Sequence, residues 1–468
     1  MLRMAGQDAA FLYGETPEWH MHVSSMLTVD PTDAPEFSFE MVRDLIVERL
    51  PGLPQFRWRL VDSPLGLDRP GWVEETDFDP DFHIRRIAVR SPGGEVELGE
   101  LISRLMSYKL DRRKPLWEMW FIEGVADGRV ALLYKIHHAI IDGVSGAGLA
   151  EIILDITPEI RPAPTEVRES IDDGRIPSTV ELLISGLWNT FARTPFRTMR
   201  FARQSLWQGA TAIGMSRSRH LATPYSAPRC SLNGELTPHR GFAGVSVELA
   251  RVKALRHTLD VKVNDIVLAL CADALRGHLL ENDELPKAPL LAQCPVSLRT
   301  DVDRDDVGSK VGSLFASLAT DIEDPVQRVQ AIHQSTTSAK EIQQALSVHR
   351  IMGLTDTTPP GLIGLAARTY SAAGLSRTAP PPVNLVISNV PGPPIPLYLA
   401  GARVERLLPM GPLLFGMGLN ITVLSYCDSL DFGFISCPEL VPDPGSIAAR
   451  VPKALDDLEQ AAASLHGR

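Results

Sequence analysis

A mostly apolar run at 130–136 ends on two adjacent histidines, His137 and His138, and passes into a stretch where glycine recurs at 143, 146 and 148. A short run of this kind predicts a buried strand, and the glycines predict a tight turn into a helix packed close to neighbouring backbone. Upstream, alternation over 23–29 predicts another strand, led in by His20-Met-His22. Helical spacing over 37–50, closed by Pro51-Gly52, predicts one amphipathic helix. A second is predicted over 95–110, with Leu98, Leu101, Ile102, Leu105 and Met106 on one stripe. Phe56-Arg-Trp-Arg-Leu60 alternates apolar and basic residues as a strand does. Pro115 starts a further strand, which Asp127-Gly128 turns back as a hairpin into the 130–136 run.

Beyond residue 240 the patterning starts again. Strands are predicted over 245–249, 290–298 and 308–319, and helices over 251–260, 263–280 and 325–346. Asn264 or Asp265 is the expected N-cap of the long apolar helix. A strand from 383 terminates in Ser388-Asn389 before a Pro-Gly-Pro turn, a hairpin joins 418–425 to 430–435 around Asp428, and a helix over 444–466 closes the chain. The two halves thus coarsely repeat strand, helix and strand.

A chain of 468 residues exceeds one compact core and fits two domains of roughly 150 to 250 residues each. Prolines at 158, 162, 164 and 177 mark the boundary, giving an N-terminal unit 1–160, a linker 161–240 and a C-terminal unit 241–468. From 182 to 234 there is no acidic residue, and Arg193, Arg197, Arg200 and Arg203 recur at helical spacing among Phe191, Phe196, Phe201, Leu206 and Trp207. Such a helix either lies on an anionic lipid surface or pairs its arginines with acids of the flanking domains. With 44% apolar and 22% charged residues the chain is globular, and its net charge of -11 argues against a nucleic-acid partner. Five cysteines without CxxC spacing favour reduced thiols and a cytoplasmic protein over a disulfide framework or zinc site. The first residues carry acids and turn residues where a secretory leader would need an apolar run, and no window has the ~18 apolar residues a span requires, so any contact with a membrane is expected to be peripheral.

Side chains at successive strand positions point to opposite faces, so His137 and His138 cannot do the same job. One points into the fold and the other into a cavity, where a near-neutral imidazole is a ready proton acceptor. Asp142-Gly143 follows after a three-residue spacer, at the turn from strand to helix. His20 and His22 share metal-like i, i+2 spacing but have no third ligand nearby, which favours a structural or substrate-lining role. No Gly-x-Ser-x-Gly elbow is present to suggest an acyl-enzyme.

The pattern His137-His138-x-x-x-Asp142-Gly143 resembles the acyltransferase superfamily of chloramphenicol acetyltransferase, peptide-synthetase condensation domains and bacterial wax ester synthase/diacylglycerol acyltransferases. Further signatures of the last group are similar to Asp8-Ala-Ala-Phe-Leu12, Pro115-Leu-Trp117, Asn264-Asp265, Pro295-Val-Ser-Leu-Arg299 and Ser388-Asn-Val-Pro-Gly-Pro393. Phe56-Arg-Trp-Arg-Leu60 and Asp431-Phe-Gly-Phe434 resemble condensation-domain elements. The resemblance implies a mixed α/β fold of two chloramphenicol acetyltransferase-like lobes, each a mixed sheet flanked by helices, with the active site at their interface. It implies His138 as general base, His137 as an orienting residue, and Asp142 in a structural ion pair with Arg57, or else Arg299. The bland reading of Arg57 is a solvated arginine on an edge strand. Asn264, Asp265, Arg299, Ser388 and Asn389 become candidates for substrate or oxyanion binding, with capping the alternative for the Asn-Asp pair and CoA phosphates the alternative for Arg299. The implied reaction transfers a long-chain acyl group from acyl-CoA to diacylglycerol or a long-chain alcohol, with no cofactor and no metal, at the inner membrane face or a lipid-droplet surface. The alternatives are transfer to a polyketide alcohol or amine, and a non-catalytic lipid-binding protein.

Overall fold

The computed structural model describes residues 1–64, 68–141, 152–162, 225–297, 311–345 and 380–466, with the single positions 181, 369 and 374. The N-terminal half runs β1 (Leu2–Arg3), α1 (Gly6–Gly14), β2 (His22–Asp30), α2 (Phe39–Arg49), β3 (Trp58–Val61), β4 (Gly71–Glu74), α3 (Pro80–His83), β5 (Ile84–Ala88), α4 (Glu95–Ser107), β6 (Trp117–Glu123), β7 (Val130–His137) and α5 (His138–Ile141). The C-terminal half continues with β8 (Gly241–Glu248), α6 (Leu249–Leu259), α7 (Val263–Glu281), β9 (Leu291–Ser297), β10 (Val311–Ser317), α8 (Pro325–Ala345), β11 (Leu385–Val390), β12 (Tyr398–Leu399), β13 (Ala402–Met410), β14 (Leu419–Tyr426), β15 (Ser429–Ser436), α9 (Pro444–Ala448) and α10 (Arg450–His466).

Two six-stranded sheets organise these elements, in the orders β12-β13-β2-β7-β6-β5 and β10-β9-β11-β14-β15-β8. Both are mixed: β5 is parallel to β6, and β11 is parallel to β9 and β14, while the other pairs are antiparallel. Strand β7 lies between β2 and β6, which pair both its edges, and its two faces pack into different cores, Leu132 and Ile136 on one side and Ala131 and Leu133 on the other, so its apolar run is continuous. Leu132, Leu133 and Ile136 are all buried. Lys135, in the same run, is also buried; its ammonium donates to the carbonyls of Leu105 and Tyr108 and lies 3.3 Å from Glu118. That cation satisfies the last carbonyls of α4, which ends at Ser107 instead of continuing to 110.

Three other boundaries differ from the patterned expectation for local reasons. The turn Pro54–Arg57 is a 3-10 helix, so Arg57 precedes β3 and is not on it; the Trp117 indole N–H holds the turn through the Phe56 carbonyl. Helix α7 is capped from inside: Lys262 is its N-cap, and the Asp265 carboxylate accepts the Lys262 N–H. The closing helix is two helices, because Pro452 has no N–H to give Ala448 and the ladder breaks at Ala449.

One connection was not expected. After β11 the chain leaves the second sheet, and β13 pairs antiparallel with β2 in the first. Asp431 joins the two layers: its fully buried carboxylate accepts the Ser246 and Ser429 hydroxyls and the Leu407 N–H of β13. Burial pushes that carboxyl up despite these donors. A further tie runs through α4, whose Ser103 and Ser107 hydroxyls accept the N–H groups of Phe242 and Arg240. Strand β15 lies so close to β13 that a Cβ on Gly433 would stand 1.8 Å from the Pro409 carbonyl oxygen. Gly433→Ala is therefore expected to cost at least the ~1–3 kcal/mol of ordinary overpacking, since the obstacle is backbone. An unchanged urea midpoint would show that the layers are not in this contact.

Candidate active site

The two histidines sit at the corner where β7 becomes α5. His137 is the last strand residue, opposite His22 of β2, and its N–H donates to the Leu116 carbonyl. Its ring is 1% exposed. Nδ1 accepts the Ala139 N–H at 3.1 Å, so the ring proton of neutral His137 is on Nε2. His138 begins α5, donates its N–H to the Met21 carbonyl at 2.8 Å, and rests its half-buried ring against Phe11 of α1, with centroids 4.4 Å apart. The two side chains thus differ in environment, but not through strand alternation, because His138 opens the helix and does not extend the strand. Phe11 belongs to the Asp8 to Leu12 signature, which acquires a physical role here as the wall against the His138 ring.

Behind His137 lies a buried carboxylate. Glu15 accepts the Met21 N–H at 2.9 Å on Oε1 and the Arg112 guanidinium at 2.8 Å on Oε2. Lys109 Nζ stands 3.6 Å from Oε2, and His137 Nε2 and His22 Nε2 stand 3.4 and 3.9 Å from Oε1. Burial acts to raise the Glu15 pKa, but the interaction with His137 and the neighbouring cation hold the carboxyl well below the usual range. Burial lowers the His137 pKa, partly offset by Glu15, and lowers that of His22 together with the Lys135 charge. No sequence motif singled out Glu15. Its only trace was an acid in a largely uncharged segment, far in sequence from the basic 109–114 stretch that neutralises it.

Two more imidazoles are held neutral. His20 precedes β2 and donates Nε2–H to the Pro17 carbonyl, with its pKa lowered to about 4 by burial and by Arg240. His83 stacks on Phe78 and Trp117, its Nδ1 2.8 Å from the Trp117 carbonyl, and burial likewise lowers it to about 4. In the unfolded chain both rings take up protons below about pH 6.5. The unfolded state therefore binds more protons between pH 6.5 and 4, and stability falls as pH drops through that window, by up to about 1.4 kcal/mol per ring per unit. Urea midpoints should be level from pH 8 to 7 and fall steadily from 6.5 to 4. A level profile down to pH 5 would show that these rings protonate freely in the fold.

In the C-terminal half, Asn264 and Asn389 meet: the Asn389 amide N–H donates to Asn264 Oδ1 at 3.2 Å, across the first turn of α7 and the end of β11. Asp265 faces a different way. Besides the Lys262 N–H, its buried carboxylate receives the Thr336 hydroxyl and His333 Nδ1 at 2.8 and 2.6 Å, which ties α7 to α8. Ser388 is on β11 opposite Thr422. Arg57 stands 3.6 Å from Glu74. Asp142, Gly143, Arg299 and the arginines at 193–203 lie outside the described residues. Among the described residues, no group of three or more histidine, cysteine, aspartate or glutamate side chains could hold a metal ion.

Comparison with known proteins places this geometry in a family. Residues 4–267 match the wax ester synthase/diacylglycerol acyltransferase catalytic domain, and residues 307–459 match the C-terminal domain of that group. A Mycobacterium tuberculosis protein named as a diacylglycerol O-acyltransferase is 37% identical over 461 residues, covering 98% of this chain and 90% of its own. The wax ester synthase/diacylglycerol acyltransferase of Marinobacter aquaeolei VT8 superposes with a TM-score of 0.70 at 30% identity, over 99% of this chain and 100% of that one. The first condensation domain of the calcium-dependent antibiotic synthetase shares the fold, with a TM-score of 0.54 at 14% identity over 99% and 97% of the two chains. With both domain families matched in order, and a solved relative superposing along the whole length, the chain is an acyltransferase and belongs to the wax ester synthase/diacylglycerol acyltransferase family.

Proposed function

We propose that the protein transfers a long-chain acyl group from acyl-CoA to diacylglycerol, forming triacylglycerol, and accepts long-chain alcohols as secondary acceptors. The observation that carries this reading is the corner at 137–139. One imidazole is locked into the fold there, and the next is half-buried on a fixed backbone hydrogen bond against Phe11. His138 takes the proton of the lipid hydroxyl as its oxygen attacks the thioester carbonyl. The tetrahedral oxyanion collapses, the C–S bond breaks, and the proton passes from the imidazole to the departing CoA sulfur. Because Asn264 directs its oxygen at Asn389, its NH₂ points the other way and serves as a donor to the oxyanion. Ser388 and Asn389 line the acyl site, whereas Asp265, with its carboxylate engaged by three donors, anchors α7. Asp142 pairs with Arg57, or with Arg299 where the latter does not bind the CoA phosphates, and Gly143 lets the loop turn. The acceptor arrives from a cytoplasmic membrane or droplet surface to which the protein binds peripherally; no helix among the described residues is long and apolar enough to span a membrane.

The test is a product analysis of the purified protein with radiolabelled palmitoyl-CoA and, separately, dioleoylglycerol, hexadecanol and hexadecylamine. Triacylglycerol should be the main product and the wax ester the second. Amide as the main product, or no ester with any alcohol, overturns the assignment.

A further inference from the structure

Glu15 touches two of the residues that fix the corner of the site, Met21 and His137. Its Oε1 accepts the N–H of Met21, and the carbonyl of that same Met21 accepts the N–H of His138. The same oxygen is 3.4 Å from His137 Nε2, an electrostatic contact outside hydrogen-bond alignment, and the other ring nitrogen of His137 accepts the N–H of Ala139. One carboxylate oxygen therefore holds the anchor of His138 on one side and the ring bracing the following residue on the other.

The surroundings keep that oxygen ionised. The Glu15 side chain is 2% exposed, and an isolated charge so buried would be costly. Arg112 and Lys109 supply the compensation, each about one third exposed, so their own charges remain solvated. His20 and His22 add no positive charge, because burial lowers both rings. Were His137 to flip or carry its proton on Nδ1, the buried Ala139 N–H would lose its acceptor and the first turn of α5 would open.

Resting on the reading of His138 as base, we infer that Glu15 is a positioning residue of the acyl transfer: its carboxylate sets the Nε2–H tautomer of His137 and, through Met21 and Ala139, the placement of the His138 ring. No substrate contact is involved.

Glu15→Gln keeps the size and one acceptor oxygen but removes the charge. In the full-length protein, kcat should fall about 10- to 100-fold, as a sub-ångström displacement of a catalytic group does, with KM for acyl-CoA within about twofold. Because the glutamine oxygen can still accept the Met21 N–H, the loss of charge acts through His137, and Glu15→Gln in a His137→Gln background should cost less than about threefold further. In ¹⁵N-histidine spectra, His137, assigned by its loss in His137→Gln, should show the single Nε2–H tautomer in the wild type and a mixture in Glu15→Gln. An unchanged kcat, losses that multiply in the double variant, or an unaltered His137 signal each overturn the inference. If Glu15→Gln does not fold, Glu15→Asp, which retains the charge one methylene back, should retain the tautomer with an intermediate kcat; loss of the tautomer there overturns the inference equally. Retained turnover in His138→Ala removes the base assignment instead, and the His137 spectrum, which needs no activity, still decides what Glu15 does.

Discussion

His138→Ala is expected to lower kcat by about 10²- to 10⁴-fold, the usual contribution of a positioned general base, while the thermal midpoint stays within a few degrees. The expected separation of activity from stability follows from the site. His138 is only half-buried, and its backbone bond to the Met21 carbonyl comes from its N–H, which alanine keeps. The ring itself packs on Phe11 at the edge of the core. Truncation removes the proton acceptor and leaves the corner held by His137 and Glu15. A variant retaining more than a few percent of turnover would exclude His138 as the base and direct attention to a substrate-assisted proton transfer. The same truncation at His137 is expected to damage the fold, because it removes the acceptor of the Ala139 N–H from a buried position.

The largest stability effect is expected from Asp155→Ala. Arg49 and Asp155 are 2% and 1% exposed, and Arg49 donates to both Asp155 oxygens at 2.9 Å as well as to the carbonyls of Ile152, Ile153 and Arg161. Asp155 also exchanges both backbone hydrogen bonds with Tyr398, and Arg161 Nε reaches its Oδ1. The chain that emerges from the 142–151 segment is thus clamped to α2 and β12 by one buried pair. Removing the carboxylate leaves a guanidinium charge in the interior, at a cost of about 3–5 kcal/mol, much of a typical domain's margin. Chemical denaturation should show this loss. The double variant Arg49→Met with Asp155→Leu should recover most of it, because the penalty comes from the unpaired charge and not from the missing attraction. A single variant as stable as wild type would mean that water reaches Arg49.

Much of the fold was legible in the chain because the strongest patterns have one physical meaning. The apolar run ending at His137 is buried on both faces in β7, the 95–110 stripe packs its apolar residues inward in α4, and the hairpin around Asp428 closes β14 onto β15. The expectations that shifted are those that depend on partners distant in sequence. Arg57 leaves the strand because Trp117 fixes the turn before it, and α4 stops short because Lys135 caps it. At the site, the motifs marked the paired histidines, Asn264, Asn389 and Phe11, but not the Asn264-Asn389 contact or the packing of Phe11 on His138. Glu15 does not, because a lone acid gives no sign, before folding, of the two cations and two imidazoles gathered around it.

Strand β13 has a consequence for biogenesis. Until residues 402–410 emerge from the ribosome, β2 is the outer strand of its sheet, with the backbone donors and acceptors of its alternate residues open to any extended segment nearby. A nascent chain in that state is a template for intermolecular strand addition. Cells making this protein must therefore shield an incomplete first lobe throughout translation, and a fragment ending before residue 402 should accumulate as aggregate even though it contains both histidines.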